Sequence, residues 1–194
     1  MIGFSDLTSL LLSRHANGFS GNVHGPLITT LGVEPDWSKN RLKSILFGNA
    51  VPDVLGEPWG GGISKGHLIV GNLTVMTHLI GTKHLPNLKE SILILEDIGE
   101  APYRIDRMLT HLRLAGILKK ISGLGFGSFS DCNNDTDVDK SKTFKLIEIL
   151  KDRTQDLAIP IVSNLPIGHC QGNASLPIGS QAILDGDKGK LILS

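Results

Sequence analysis

The sequence predicts an α/β fold, because strand-like and helix-like segments alternate through the middle of the chain and strands dominate its end. Ser91–Ile98 is an apolar run that ends in acidic residues, which is typical of a buried strand. Tyr103–Ala115 then repeats apolar residues at helical spacing, and Gly116 follows where a helix would end. Near the C-terminus, apolar residues on either side of Asp185-Gly186-Asp187 predict a closing hairpin.

The other elements are predicted from where apolar residues recur and where glycine, proline or acidic residues interrupt them. Pro160 favours an edge position for the strand that contains it. The last long helix is expected to turn Phe144, Ile147 and Leu150 inward. In chain order, the predicted elements are a turn and helix at 1–16, a strand or extended loop at 23–31, a helix at 36–47, a loop with irregular strand at 51–66, a helix at 71–80, a strand at 121–129, an acidic loop at 131–139, a helix at 141–157, a strand at 159–162, and hairpin strands at 183–184 and 191–193.

The amino-acid composition argues against several classes of function. The 194 residues carry 19 Lys+Arg and 19 Asp+Glu, and this balance argues against a nucleic-acid binder and against a polybasic membrane-surface protein. Two cysteines exclude a disulfide scaffold and favour a reducing compartment. No basic stretch precedes Asp6 in the manner of a targeting signal, so we expect a cytoplasmic protein. The histidine spacing predicts no zinc site, and the glycine spacing matches no nucleotide-binding motif.

The segment Gly3–Asp6 lies directly before a predicted helix and is similar to a nucleophile elbow. In such an elbow a strained turn exposes the serine hydroxyl, which would make Ser5 a nucleophile. The pattern is incomplete because Leu7 stands where a glycine is usual. An alternative interpretation is that Ser5 or Asp6 caps the helix.

Two further residues are candidates for acid and base roles. Glu96 ends an apolar strand, where α/β enzymes place catalytic groups, although strands also end simply in solvated acids. His169 follows a short strand in a glycine-flanked loop and suits a general base, or else a hydrogen-bonded structural histidine. The chain order Ser5, Glu96, His169 occurs among α/β hydrolases. Cys170 is adjacent to His169, and this position fits a small buried residue better than a thiol nucleophile.

The segment Glu96–Leu109 reads EDIGEAPYRIDRML and resembles the central signature of the LD-carboxypeptidases, serine peptidases that are related to microcin self-immunity proteins. Other segments are similar to further blocks of that family in the right order. They are Gly3–Asp6, His24-Gly25-Pro26, Gly71-Asn72-Leu73, Gly127-Ser128-Phe129 and Leu165–His169.

The resemblance implies a fold in two parts. Residues 1–50 would be the last elements of a Rossmann-like N-terminal domain, with the nucleophile elbow and a linker. Residues 51–194 would be the C-terminal LD-carboxypeptidase domain, a mixed sheet with flanking helices. Because the elbow begins at residue 3, the chain looks N-terminally truncated relative to the family. We expect its leading strand to lack a sheet to join, and the region after about residue 55 to fold by itself.

The resemblance also implies roles for single residues. Ser5 would be the nucleophile, His169 the base and Glu96 the residue that orients the base. The backbone N–H of Asp6 would supply one oxyanion-hole donor, while the other lies in the missing domain. Asn72 is a substrate-pocket candidate, and Arg104 either forms a surface ion pair or holds a substrate carboxylate.

The implied activity is hydrolysis of the L,D-peptide bond to the terminal D-alanine of murein tetrapeptides during peptidoglycan recycling. It would need no metal or cofactor, and it implies a murein peptide as partner, with a homodimer and a separate N-terminal half as further possibilities. The alternative hypothesis is a non-catalytic remnant, or one half of a split protein. We expect low turnover from this chain alone, because removing one oxyanion donor typically costs ~10²–10³ in rate.

Overall fold

A computed structural model describes residues 1–132 and 144–194 as a mixed α/β fold around an eight-stranded sheet. Its strands are β3 (Val54–Leu55), β4 (Glu57–Gly60), β5 (Ile63–Asn72), β6 (Ser91–Ile98), β7 (Gly123–Ser130), β8 (Ile161–Ser163), β10 (Gln181–Asp185) and β11 (Lys190–Leu193). The four central strands β5, β6, β7 and β8 are parallel, and antiparallel strands flank them on both sides. The strand order is β3-β11-β10-β5-β6-β7-β8-β4.

The described residues also form six α-helices and one 3₁₀ turn, Ser5–Leu7. The predicted α/β class, the strand at Ser91–Ile98, the helix that follows it and the C-terminal hairpin are confirmed. The helices are α1 (Thr8–Ala16), α2 (Ile28–Leu31), α3 (Asp36–Leu46), α4 (Leu73–His78), α5 (Pro102–Leu114) and α6 (Leu146–Asp152).

The core consists of two apolar layers, one on each face of the large sheet. Leu93 and Leu95 of β6 point into one layer, together with α1, α4, α5 and α6. Ile92 and Ile94 of the same strand point into the other, together with β10 and β11. This alternation is the period-two geometry of a strand that is buried on both faces, and it explains why the whole run is apolar.

A second, three-stranded sheet joins the two ends of the chain. β1 (Ile2–Gly3) pairs in parallel with β2 (Val23–His24), and β2 pairs antiparallel with β9 (Leu176–Pro177). The expectation that the strand before Ser5 has no sheet to join is therefore wrong. The C-terminal region itself supplies the strand β9 that completes this sheet, so the sheet contains strands from both predicted parts, 1–50 and 51–194. The division of the chain into those two parts stays a prediction.

Two predicted elements around residue 70 are wrong in their bounds. The stretch 51–66 contains β3, β4 and the start of β5, and the helix predicted at 71–80 begins only at Leu73. The cause is tertiary, since β5 pairs with β6 along its length as far as Asn72 and Glu96. Likewise, within the strand or extended loop predicted at 23–31, Val23–His24 forms a strand and Leu27 is extended, but Ile28–Leu31 is the helix α2.

Two predictions for the last part of the chain are also wrong. Phe144 and Ile147 are exposed, whereas Leu146, Ile149 and Leu150 are buried, because the inward face of α6 is displaced from the predicted one. β8 is an inner strand that β4 covers, and Pro160 stands just before it. The acidic loop predicted at 131–139 and the start of the helix predicted at 141–157 lie outside the described residues, apart from residues 131 and 132.

Large apolar side chains are exposed on several elements of the first fifty residues. Their exposed fractions run from 47% to 93%, although single exposed apolar residues are ordinary on a protein surface. We call them the N-terminal apolar set: Leu10, Phe19, Ile28, Val33, Trp37, Leu46 and Phe47. No described helix is long and apolar enough to cross a membrane.

A buried carboxylate ties β5, α4 and β6 together at the carboxyl edge of the sheet. Asp97 is 2% exposed, and its Oδ1 accepts the Nδ2–H of Asn72 at 3.0 Å and the N–H of Ile98 at 2.9 Å. Its Oδ2 accepts both the N–H and the hydroxyl of Thr74, at 3.0 and 2.8 Å. Four donors thus depend on one buried side chain.

We predict that Asp97→Ala lowers the free energy of unfolding by about 3 kcal/mol, because it leaves buried donors without partners. Urea denaturation checks this value. Asp36→Ala is the matched control, since the Asp36 side chain is 95% exposed, and it should change stability by about 0.5 kcal/mol or less. Equal effects of the two substitutions would contradict the structural role of Asp97.

Candidate active site

Glu96 and His169 meet at the carboxyl edge of the large sheet. The Nδ1 atom of His169 lies 2.7 Å from Oε2 of Glu96, whose side chain is fully buried, while the histidine side chain is 15% exposed. A carboxylate at this distance holds the imidazole with its proton on Nδ1, which leaves Nε2 free to accept a proton. The predicted pairing of these two residues is present in the structure.

An irregularity in the sheet aims Glu96 at the histidine. Between the pairs Leu95–Phe126 and Asp97–Phe129, β6 contributes one residue and β7 contributes two, which makes a bulge in β7. Bulges re-aim side chains next to active sites. A Cβ at Gly127 within the bulge would lie 2.6 Å from the carbonyl oxygen of Ile167, so only glycine allows this approach of strand and loop.

The loop that carries His169 depends on a second glycine. Gly168 has φ of +100°, and a Cβ there would lie 2.4 Å from Oε2 of Glu96. A side chain at this position would be strained by its backbone and would also displace the carboxylate. The glycine beside the histidine is therefore required by the hydrogen bond itself.

Side chains that the sequence analysis did not identify hold this loop from outside. The N–H of Gly168 donates to Oδ1 of Asn173 at 3.0 Å, and the hydroxyl of Ser130, at the end of β7, donates to the carbonyl oxygen of His169. Glu34 accepts the N–H groups of Gly172 and Asn173, both at 3.1 Å. Glu34 and Ser130 lie far from the loop in sequence, so spacing gave no signal for them. Asn173 lies within the loop, but no motif marked it.

The backbone at Ser5 has the conformation of a nucleophile elbow. Ser5 has φ of +60°, which is uncommon for a residue with a side chain, and it joins strand β1 to a 3₁₀ turn and then to α1. Such strained conformations persist only where the surroundings hold them, and here the β1–β2–β9 sheet does so. Asp6 is the second residue of the 3₁₀ turn, and the first N–H groups of such a turn have no carbonyl partner within it. The backbone N–H of Asp6 is therefore not used by the turn itself.

Phe4 connects the Ser5 segment to the base. The ring centroids of Phe4 and His169 lie 4.8 Å apart, at an interplanar angle of 60°. On its other side Phe4 meets His24, with centroids 6.2 Å apart. His24 is completely buried, and neither of its ring nitrogens has a hydrogen-bond partner among the described residues. Burial, and secondarily the nearby His169, lowers the pKa of His24 to about 3, so its ring is neutral.

A pocket of about 390 Å³ opens beside this arrangement. It is lined by Phe4, Thr30, Val33, Glu34, Gly168, His169, Cys170 and Gln171. Burial raises the pKa of the Cys170 thiol to about 11, with Glu34 and Glu96 as further causes, so this cysteine is not a thiolate near neutral pH.

Of the predicted site residues, His169 alone lines this pocket, and the Ser5 segment reaches it through Phe4 rather than through Ser5 itself. Asn72 is 4% exposed, and both ends of its amide serve the fold: Oδ1 accepts the N–H of Val75 at the start of α4, and Nδ2 donates to Asp97. Arg104 is exposed and forms an ion pair with Glu100 at 3.3 Å, which is the surface alternative considered above. Asp6 is exposed and does not line the pocket.

Comparison with known proteins gives one consistent result. Residues 65–184 match the LD-carboxypeptidase C-terminal domain. A putative carboxypeptidase of Synechocystis is 44% identical over 98% of this chain and 62% of its own length. The murein tetrapeptide carboxypeptidase of Pseudomonas aeruginosa is 32% identical over 97% of this chain and 63% of its own. The chain therefore spans less than two thirds of these relatives.

Solved structures agree. The muramoyltetrapeptide carboxypeptidase from Oxalobacter formigenes superposes with a TM-score of 0.86 at 31% identity, over 98% of this chain and 65% of the other. The microcin C7 self-immunity protein MccF shares the fold, with a TM-score of 0.80 at 21% identity over 100% of this chain and 67% of the other.

We predict that Gly168→Ala breaks the hydrogen bond between His169 and Glu96, because the new methyl group would occupy the position of the carboxylate. The far-downfield proton resonance of the Nδ1–H group should disappear. Gly116→Ala is the matched control, since Gly116 also has positive φ but its Cβ position has no atom within 4 Å among the described residues beyond its chain neighbours. Its cost should be about 1 kcal/mol with the resonance intact. A resonance that survives Gly168→Ala would contradict the steric account.

We also predict that, because of His24, the free energy of unfolding decreases as the pH is lowered. Its pKa is lowered from 6.5 to about 3 in the folded chain, so below pH 6.5 the unfolded chain binds a proton that the folded chain does not. The free energy of unfolding should drop by about 2 kcal/mol more between pH about 6.5 and about 4.5 than it does in His24→Gln. Denaturation at several pH values measures both slopes, and parallel slopes would show that His24 does not titrate as its burial requires.

Proposed function

Because the chain belongs to the LD-carboxypeptidase family, we propose that it forms the larger part of a serine-type carboxypeptidase. Its substrate would be a murein tetrapeptide, and the bond cleaved would be the L,D-peptide bond to the terminal D-alanine. The observation that carries this proposal is the contact between the buried carboxylate of Glu96 and His169, beside a pocket that the segment of Ser5 also lines. The named activity of the Pseudomonas aeruginosa relative supports the substrate.

The proposed reaction is acyl transfer to Ser5. Its Oγ attacks the carbonyl carbon of the scissile bond while Nε2 of His169 takes the hydroxyl proton. Glu96 accepts the Nδ1–H hydrogen bond and stabilises the imidazolium that forms. The tetrahedral intermediate collapses when the C–N bond breaks and His169 returns the proton to the amine of D-alanine. Water then attacks the ester carbonyl while His169 takes a proton from it. The second tetrahedral intermediate collapses when the C–O bond to Ser5 breaks and His169 returns that proton to Oγ of Ser5, and the released peptide acid loses its own proton to solvent as a carboxylate.

The N–H of Asp6 is the proposed donor to the oxyanion, because an amide next to an elbow serine is placed as in other hydrolases with this turn. We propose that the second donor comes from the part of the relatives that this chain does not span. No step of this route uses a metal or a cofactor. We place the reaction in the cytoplasm, as part of peptidoglycan recycling.

The alternative is that this chain is a non-catalytic remnant or one half of a split protein. The N-terminal apolar set gives that alternative a physical basis, since its seven large apolar side chains are exposed within the first fifty residues and exposed apolar surface is typical of a face that another domain or subunit covers. We propose that a further domain packs there, either in the same polypeptide or in a separate one.

The deciding experiment measures D-alanine release from a murein tetrapeptide. We predict that a longer chain with a complete N-terminal domain turns the peptide over, and that Ser5→Ala in that chain lowers kcat by at least ~10³. Ser13→Ala is the matched control and should stay within a factor of about three, since the Ser13 hydroxyl forms its hydrogen bond with His84, and neither residue lines the pocket.

The 194-residue chain alone should have a kcat/KM at least ~10²-fold lower than the longer chain, because one oxyanion donor would be absent. Equal D-alanine release by the longer chain and its Ser5→Ala variant would refute the serine assignment. Turnover by the short chain within tenfold of the long one would refute the proposed contribution of the N-terminal domain.

A further inference from the structure

The described residues that line the pocket beside His169 include an acidic side chain but no lysine or arginine. Glu34 is the only acid among these described residues. The other lining groups are His169, the uncharged polar side chains of Thr30 and Gln171, the Cys170 thiol and apolar surface. A ligand group that enters this pocket therefore meets one fixed negative charge.

The carboxylate of Glu34 is held rigidly, and only one of its oxygens is used for that purpose. Oε2 accepts the N–H groups of Gly172 and Asn173, both at 3.1 Å. Oε1 has no hydrogen-bond partner among the described residues and is not itself fully buried, and Glu34 lines the pocket. One oxygen fixes the group in place, and the other is free to accept a hydrogen bond from a ligand.

The surrounding packing prevents Glu34 from turning away. Glu34 lies two residues before α3. Trp37 of α3 packs so closely on Gly172 that a Cβ at Gly172 would lie 2.5 Å from the indole ring. Gly172 has φ of +86° and leaves room for this contact. The start of α3 and the His169 loop therefore form one unit, and the carboxylate is placed before any ligand arrives. Such preorganisation increases affinity, because no ordering is needed on binding.

A partly buried carboxylate discriminates between ligand charges. Glu34 is 8% exposed, so its interaction with a charged ligand is screened less than at an open surface. Its influence already reaches the neighbouring thiol, where it is one of the causes that raise the pKa of Cys170. A ligand carboxylate in the pocket would be repelled, whereas an ammonium group would form a charge-assisted hydrogen bond with Oε1.

We propose that Glu34 is a specificity-determining residue that binds the free ammonium group of a diamino acid on the acyl side of the scissile bond. The proposal rests on the proposed function, since it takes the pocket beside His169 as the substrate site. It assigns the acyl side because the leaving D-amino acid carries a free carboxylate that Glu34 would repel. The recognised substrates are then peptides in which a side-chain amine lies next to the bond that is cleaved.

The test uses the 194-residue chain with Ser5→Ala, so that a bound peptide is not turned over. The probes are a murein tetrapeptide with lysine at the third position and the same peptide with norleucine there, which removes the ammonium group and preserves most of the side-chain shape. NMR titration gives both dissociation constants at one fixed ionic strength. We expect the lysine peptide to bind about tenfold more tightly or better, as for a hydrogen bond between charged groups.

Adding Glu34→Gln should remove that preference by weakening the lysine peptide alone. The amide oxygen of glutamine can still accept the N–H groups of Gly172 and Asn173, so the loop is preserved while the charge is lost. Asp36→Asn is the matched control, because it removes an acid two residues away whose side chain is 95% exposed, and it should leave the preference unchanged.

Three results would overturn the inference. Equal binding of the two peptides would show that the pocket does not read the ammonium group. An equal loss of affinity for both peptides in Glu34→Gln would show that Glu34 acts only by holding the loop. Binding of neither peptide would show that the pocket of this chain does not hold murein peptides. In each case D-alanine release by the longer chain decides separately whether the proposed function stands.

Discussion

The hydrogen bond between Nδ1 of His169 and Oε2 of Glu96 is the contact on which the rest of the site depends. Glu96 is fully buried, and its other carboxylate oxygen has no hydrogen-bond partner in the part of the chain that the structure describes. An unpaired buried carboxylate is costly, so the histidine contact also stabilises the fold. The bulge in β7 and the absence of a side chain at Gly168 both follow from the space that this pair requires. Stability and the proposed chemistry thus depend on the same few atoms.

The second constraint is that distant parts of the chain must meet at this pair. The β1–β2–β9 sheet brings the segment of Ser5 to the C-terminal region, and Phe4 contacts His169 directly. Glu34 holds the far end of the His169 loop. The first fifty residues therefore contribute side chains directly to the site. This explains why the neutral, buried His24 lies behind Phe4, where a charged ring would disturb the base.

Sequence patterns correctly predicted the helices and strands that are determined by residues close together in the chain. The apolar run at Ser91–Ile98 and the spacing in α5 needed no tertiary information, and the family resemblance pointed to Glu96 and His169. The prediction was wrong where long-range pairing decides, as in β5, which continues to Asn72 because β6 lies beside it. Glu34 and Ser130 could not be predicted, because their partners lie 138 and 39 residues away. Arg104 belongs to the matching signature and yet lies at the surface.

The proposed role of His169 as the base depends most directly on which of its ring nitrogens carries the proton. Nitrogen-15 NMR of the imidazole, at a pH where the ring is neutral, measures this for the intact chain and for Glu96→Leu. We predict a protonated Nδ1 and an unprotonated Nε2 in the intact chain, and a mixture of tautomers once the carboxylate is removed. A proton on Nε2 in the intact chain would contradict the central claim, because that nitrogen could not then accept the proton of Ser5.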